Sequence, residues 1–177
     1  MILNALWLSN ENWMDASLLY SQTNGATDWE FFTVNQDAFL VVANAYNYGP
    51  QNFQNKETFR TNSSLYKLDI EKRAFLKYQT FVTNSAIDWE HFTIEDDHYL
   101  VVSNAQNGGN EREHLTVIYR LQGVDRFVPV HHMFLEASAD WEVFQDGREV
   151  YFIYTNAKGK KSQVLKAKFK WDSRFEV

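Results

Sequence analysis

The chain has 177 residues, enough for one domain of ordinary size or a set of modules sharing one core. A net charge of −6 argues against wholesale nucleic-acid binding, and the scarcity of Gly (7) and Pro (2) beside 16% aromatics excludes a disordered or collagen-like chain. No apolar run reaches the ~18 residues of a membrane-spanning helix, and the lack of cysteine fits a reducing compartment without requiring one.

In chain order, "MILNALWLSNENW" lacks the basic start, long apolar core and small-residue cleavage site of a secretory signal. That fits a cytosolic protein, or a chain from which a signal has been removed. "ALWLS" and "SLLYSQ" then read as a third and a fourth strand without partners. "GATDWEFFTVNQDAFLVVANA" (25–45) gives an alternating strand, a polar turn and a strand apolar on both faces, which predicts cover from both sides. A loop rich in amides and aromatics follows, "AYNYGPQNFQNKETFRTN" (45–62), then a third strand in "SLYKLD" (64–69) and a fourth in "FLKYQTF" (75–81). The unit then recurs. "SAIDWEHFTIEDDHYLVVSNA" (85–105) leads to "TVIYRL" (116–121) and "FVPVHHMF" (127–134). "SADWEVFQDGREVYFIYTNA" (138–157) leads to "QVLKAKF" (163–169).

The register of the copies is strict. Counting from Asp28, Asp88 and Asp140, an aromatic lies at +4 (Phe32, Phe92, Phe144) and an apolar residue at +12 (Leu40, Leu100, Phe152). Asn-Ala follows at +16 and +17, at Asn44, Asn104 and Asn156. An internal repeat is the only economical reading, with units at roughly 13–68, 75–121 and 127–169 inside a single repeat domain. The copies differ in one connection: from the Asn to Tyr66, Tyr119 or Leu165 the gaps are 22, 15 and 9 residues. A scaffold held fixed except at one connection places its variation on one rim, where binding usually lives.

Residues 75–121 strongly resemble the EAR, or epitempin (EPTP), repeat. Phe75, Gln79, Thr83, Ala86, Asp88, Phe92, Leu100, Asn104, Ile118 and Tyr119 fall in that pattern. The first copy keeps Thr23, Ala26, Asp28, Phe32, Leu40, Asn44, Leu65 and Tyr66; the third keeps Asp140, Phe144 and Asn156 but closes on Val164-Leu165. The resemblance implies four-stranded antiparallel blades of a seven-bladed β-propeller in an extracellular or cell-surface protein that binds other proteins without catalysis. Three repeats do not close seven blades. The all-β fold expected is therefore three propeller-like blades closed by oligomerisation, with two chains giving six, or else a three-fold β-prism or β-trefoil.

Each repeated residue carries more than one reading. The carboxylates of Asp28, Asp88 and Asp140 are able to fix the turn into their strand by accepting backbone N–H bonds. In a closed ring, as the resemblance suggests, they would converge on an axis as a Ca2+ site. Asp and Glu two apart on a strand lie ~6.8 Å from each other, within the range of glycosidase pairs, yet a reaction centre needs one specialised copy. Trp29, Trp89 and Trp141 read as core aromatics, with a sugar-stacking platform as the second reading. Asn44, Asn104 and Asn156 hold the departing loop or, with Tyr46, Tyr48 and Asn107, contact a ligand. The five histidines form no ligand set, and the lysines of 158–171 read as a solvated face or an anion site. The function expected is non-catalytic recognition at a cell or matrix surface. A multivalent lectin for glycans comes first, an EAR-type protein-docking propeller second and a glycoside hydrolase last. The expected assembly is a homodimer.

Overall fold

The computed structural model describes residues 8–9, 12–13, 23–46, 60–105, 115–123, 126–135, 138–156 and 161–168. All thirteen elements among them are β-strands, so no helix there is long and apolar enough to cross a membrane. Strands β1 (Leu8–Ser9) and β2 (Asn12–Trp13) form a short antiparallel pair. Blade 1 orders β3 (Ala26–Val34), β4 (Asp37–Asn44), β5 (Arg60–Asp69) and β6 (Ala74–Asn84) as an antiparallel meander. Blade 2 repeats it with β7 (Ala86–Ile94), β8 (Asp97–Asn104), β9 (Leu115–Gln122) and β10 (Arg126–Phe134). Blade 3 has three strands among the described residues: β11 (Ser138–Asp146), β12 (Glu149–Asn156) and β13 (Gln163–Lys166).

The inner strands β3, β7 and β11 meet, and each sheet leads outward from them, the arrangement of propeller blades rather than of a prism or trefoil. The unit seen in the sequence and the unit of the sheet are offset. Residues 75–121 hold the outer strand β6 of blade 1 together with β7, β8 and β9 of blade 2.

Local chemistry explains the strands. Each inner hairpin turns through two residues whose first is left-handed: Asn35 (φ 55°), Glu95 (φ 53°) and Gly147 (φ 62°). Asn and Gly reach that region at low cost, whereas Glu95 needs the surrounding hairpin to hold it there. At the other end each inner strand carries the same register shift just before its Asp, at Ala26/Asp28, Ala86/Asp88 and Ser138/Asp140. A β-bulge re-aims the side chains that follow it, and here it does so three times at the same carboxylate.

The core lies between blades. Phe32, Phe39, Val41, Leu65 and Phe81 of blade 1 pack against Trp89, Leu100, Val102 and Tyr119 of blade 2. Phe92, Tyr99 and Val101 of blade 2 pack against Trp141, Val150, Phe152 and Tyr154 of blade 3. Burying an indole as fully as those of Trp89 and Trp141 removes about 200 Å² from water, roughly 5 kcal/mol of transfer free energy. Cover on both faces, expected for every second strand, holds for β4 and β8 but not for β12. There Val150, Phe152 and Tyr154 are buried, whereas Tyr151 and Ile153 on the other face are half-buried. That face has no further blade against it among the described residues.

Candidate functional site

The three Asp-Trp-Glu copies do one job that the sequence did not disclose. The Trp89 N–H of blade 2 donates to Asp28 Oδ2 of blade 1 at 3.2 Å, and the His91 N–H donates to Glu30 Oε1 at 3.2 Å. One blade on, the Trp141 N–H donates to Asp88 Oδ2 at 2.9 Å, and the Val143 N–H donates to Glu90. The carboxylates thus accept from the next blade's inner strand, and those of Asp28 and Glu30 also from the N–H that follows each in its own strand, Trp29 and Phe31. An inner strand is a sheet edge, and its outward N–H groups need acceptors that a side-by-side blade cannot offer from its own backbone. Asp and Glu on alternate positions, aimed by the bulge, supply them.

This ladder crowds acidic groups. Burial raises Asp28 and Glu30 above the usual carboxylate range, and neighbouring carboxylates add to it. Asp88 is pushed up to about 8, first by burial, then by Asp28 with Asp140 and Glu90 contributing. Glu90 is pushed up to about 7 by burial and by Glu30, Glu142 and Asp140. Beside them burial holds the His91 imidazole down at about 4. Its Nε2 lies 3.1 Å from His98 Nδ1, and its ring stacks on Phe32 with centroids 4.5 Å apart. Asp140, expected as the third member of a calcium centre with Asp28 and Asp88, is exposed. Among the described residues no group of three or more acidic or histidine side chains is placed to hold a metal ion.

At the bulge end of the inner strands, beside the repeat Asp positions, lies the rim from which the long connections depart. Asn44 Oδ1 accepts the Asn24 N–H at 3.0 Å and its Nδ2 donates to the Asn62 carbonyl at 2.7 Å. Asn104 Oδ1 accepts the Asn84 N–H at 2.9 Å. Both side chains are buried and bind the segments that lead into and out of the blade, the loop-holding member of the two readings. The alanines after them donate to the residues three before each Asp: Ala45 N–H to Gly25 O at 3.1 Å, and Ala105 N–H to Ser85 O at 3.0 Å. Asn156, half-buried, donates its N–H to Ser162 Oγ at 3.4 Å. Tyr46 is half-buried and its N–H donates to the Asn24 carbonyl at 3.2 Å. Tyr48 and Asn107 lie outside the described residues. Hydroxyls complete the belt, with Ser85 Oγ donating to the Ala45 carbonyl at 2.8 Å and Ser103 Oγ to the Ser138 carbonyl at 2.6 Å, both from one blade to the next.

Two further contacts went unread in the sequence, one of them repeated in every blade. On the outer strands, Gln79 Nε2 donates to the Phe127 carbonyl at 2.7 Å and its Oε1 accepts the Phe127 N–H at 2.9 Å, clasping blade 1 to blade 2. On the hairpin rim, Lys67–Asp37 (2.8 Å), Arg120–Asp97 (2.7 Å) and Lys166–Glu149 form one ion pair per blade. The acid stands nine residues after each repeat Asp and the cation one after Tyr66, Tyr119 or Leu165, a register plainly present in the sequence. Lys166, read there as part of a lysine face, is engaged by Glu149 and lies over the Tyr151 ring at 5.8 Å.

Comparison with known proteins agrees with this architecture. A solved exo-β-1,3-galactanase from Phanerochaete chrysosporium, in complex with β-1,3-galactotriose, superposes with a TM-score of 0.52 over 94% of this chain and 38% of its own, at 9% identity. That is a likeness of fold alone. The thrombospondin-type laminin G domain and EAR repeat-containing proteins of Mus musculus and Homo sapiens are each 38% identical over 194 aligned positions, covering 81% of this chain. The chain spans 29% of the length of those relatives. The EPTP domain family matches residues 19–69 and 74–122, the first two repeats with the outer strand that joins them. With the family match spanning more than half of its residues, the chain belongs to the EPTP, or EAR, repeat family.

Proposed function

We propose that this chain is a non-catalytic recognition module working at a cell surface or in the extracellular space, with a protein ligand bound across the rim from which the Asn-Ala loops depart. The observation that carries it is the contrast at that rim. Asn44 and Asn104 pin the loop bases by the same bonds, while the connections they hold, 45–59 and 105–114, differ in length and composition. A rigid base with variable loops is how scaffolds present binding surfaces. Membership of a family whose relatives bear the EAR repeat in their names supports the reading. Two of the three Asp-x-Glu pairs that invited a glycosidase reading, those of blades 1 and 2, are engaged as acceptors between blades, which argues against an enzyme.

A glycan ligand is the second reading, favoured by the amides and aromatics of 45–62, among them Tyr46, Tyr48, Phe53 and Phe59. Such rings offer stacking faces, and linked weak sites gain avidity. The test is staining of intact cells by the fluorescent chain, beside a variant whose residues 47–58 are replaced by a Gly-Ser linker. Staining that the linker abolishes and that trypsin treatment of the cells removes supports a protein ligand. Staining lost to glycosidases and spared by trypsin supports the glycan. Staining unchanged by the linker overturns the rim as the site.

A further inference from the structure

The third strand of blade 1 departs from its counterparts at two positions that flank a shared one. Aligned on Tyr66, Tyr119 and Leu165, the copies read Asn62-Ser63-Ser64, Leu115-Thr116-Val117 and Lys161-Ser162-Gln163. The middle hydroxyl has a structural task in every blade. Ser63 Oγ accepts the Asn44 N–H at 3.3 Å and lies 2.9 Å from Thr83 Oγ1. Thr116 Oγ1 lies 3.2 Å from Ser138 Oγ, and Ser162 Oγ accepts the Asn156 N–H at 3.4 Å. The residues on either side share no such task, since their chemistry changes from copy to copy. In blade 1 they are an Asn and a Ser, which turns a conserved-geometry hydroxyl into the centre of Asn-x-Ser, the acceptor pattern for an N-linked oligosaccharide.

The fold leaves that Asn open. Ser63 is fully buried, and strand alternation turns Asn62 to the opposite face of β5, where it is exposed. The Asn62 carbonyl accepts Asn44 Nδ2 at 2.7 Å, whereas no hydrogen bond holds its side chain among the described residues. Asn is a poor strand former, so neither propensity nor bonding accounts for it in β5. Directly opposite on β6 stands Val82, 59% exposed, with Thr80 exposed on the same face. Cross-strand neighbours lie about 5 Å apart, so the first sugar on Asn62 would cover this exposed valine. We infer that Asn62 is a site of N-glycosylation, which places a glycan beside the base of the 45–59 connection. The transfer joins Asn62 Nδ2 to the anomeric carbon of an oligosaccharide carried on a polyprenyl pyrophosphate. The bond from that carbon to the pyrophosphate oxygen breaks, the lipid pyrophosphate leaves with the electron pair, and the amide loses one proton to a base. Ser64, the hydroxyl that the pattern requires, is 4% exposed and sits between two paired strands, opposite Val42 and Thr80. The acceptor segment is therefore within reach only before β5 pairs, and the finished blade carries the glycan outward. The inference rests on the extracellular reading above, because N-linked glycans belong to secreted chains.

The test is expression of the full chain behind a cleavable secretory leader in human cells. Cell-retained and secreted material are analysed together by mass spectrometry, before and after peptide N-glycosidase. Leader removal, read in the same spectra, identifies the chains that entered the secretory route. The expected result is one glycan, whose enzymatic release converts Asn62 to Asp. Asn62→Gln and Ser64→Ala should each abolish the mass shift, and Ser64→Thr, which keeps the acceptor hydroxyl, should preserve it. Because transfer precedes folding, a variant that folds poorly still reports on the site. Leader-processed chain that is unmodified at Asn62 overturns the inference, as does a glycan that survives both Asn62→Gln and Ser64→Ala. Staining of cells separates this from the recognition reading. An unmodified chain that still stains them sinks the glycan site alone, and a glycosylated chain that stains none upholds the site while the recognition reading falls.

Discussion

Asp88 and Asp140 occupy the same position of the same repeat and live in different surroundings. Asp88 is 9% exposed, accepts the Trp141 N–H and is pushed up to about 8; Asp140 is exposed. Four residues on, Phe92 is covered and Phe144 open. Nothing within the repeat distinguishes these pairs. The neighbour does: blade 2 has blade 3 against it, whereas blade 3 has no further blade against it among the described residues. In a chain of blades, then, a residue's environment is set by its place in the array, and substitutions should be read by what stands one blade further on.

The largest expected effect tests that claim with the tryptophans. Trp89 is 1% exposed and lies between two blades, in contact with Phe81 at 4.9 Å and Tyr119 at 5.8 Å. Trp29 is half-buried and meets Tyr66 of its own blade at 6.1 Å. Trp89→Ala should destabilise the fold by about 3–5 kcal/mol in urea unfolding, and Trp29→Ala by roughly half that or less. Equal losses would mean that Trp29, though only half-buried, is as tightly packed as Trp89.

The carboxylates give the next effect down. Asp88→Ala leaves the Trp141 N–H buried without its acceptor and should cost about 1–3 kcal/mol, whereas Asp140→Ala should stay within about 0.5 kcal/mol while the chain is monomeric. Asp88→Asn separates hydrogen bonding from charge, since an amide oxygen still accepts. A carboxyl raised in the folded state contributes stability that is full below the ordinary carboxylate range near 4 and is lost as pH rises through about 8. Wild-type melting temperature should therefore decline between about pH 5 and about pH 8.5, and Asp88→Asn should decline less. His91, depressed to about 4, acts in the other direction: its contribution is full above about 6.5 and lost as pH falls through 4. Parallel curves for the wild type and Asp88→Asn would show that this carboxyl is not the group that titrates.

Much of this architecture was legible. Alternation and the fixed spacing of Asp, aromatic and Asn-Ala announced three copies of a β unit, because local geometry and burial act within one repeat. The partner of each Asp was not legible, because it lies one repeat away: Asp28 meets the N–H of a residue 61 positions on, and Asp88 one 53 positions on. Asp-Trp reads as a dipeptide, yet its two residues are the acceptor and donor of the same bond in successive blades. Burial of β12 was misjudged for a related reason. "VYFIYT" carries the apolar pattern of a strand covered twice, but among the described residues no further blade lies against Tyr151 and Ile153.

The smallest expected effects lie at the hairpin rim, where all three copies are solvated and position in the array should stop mattering. Lys67–Asp37, Arg120–Asp97 and Lys166–Glu149 are partly exposed, and exposed pairs of this kind are worth up to about 1 kcal/mol. Alanine at Lys67 should cost a few tenths of a kcal/mol, part of it through the Phe39 ring it covers at 5.8 Å, and alanine at Lys166, over Tyr151 at 5.8 Å, should cost no more than that. Arg120→Ala should cost most of the three, since the guanidinium of a half-buried Arg makes the stronger charge-assisted bond to Asp97. Salt near 1 M shortens the screening length to about 3 Å, so unfolding measured there should shrink these differences while leaving that between Trp89→Ala and Trp29→Ala untouched. If the rim pairs instead ranked as the tryptophans do, with blade 2 far above its neighbours, the array would be coupled through its outer edge as well as through the carboxylate ladder at its centre.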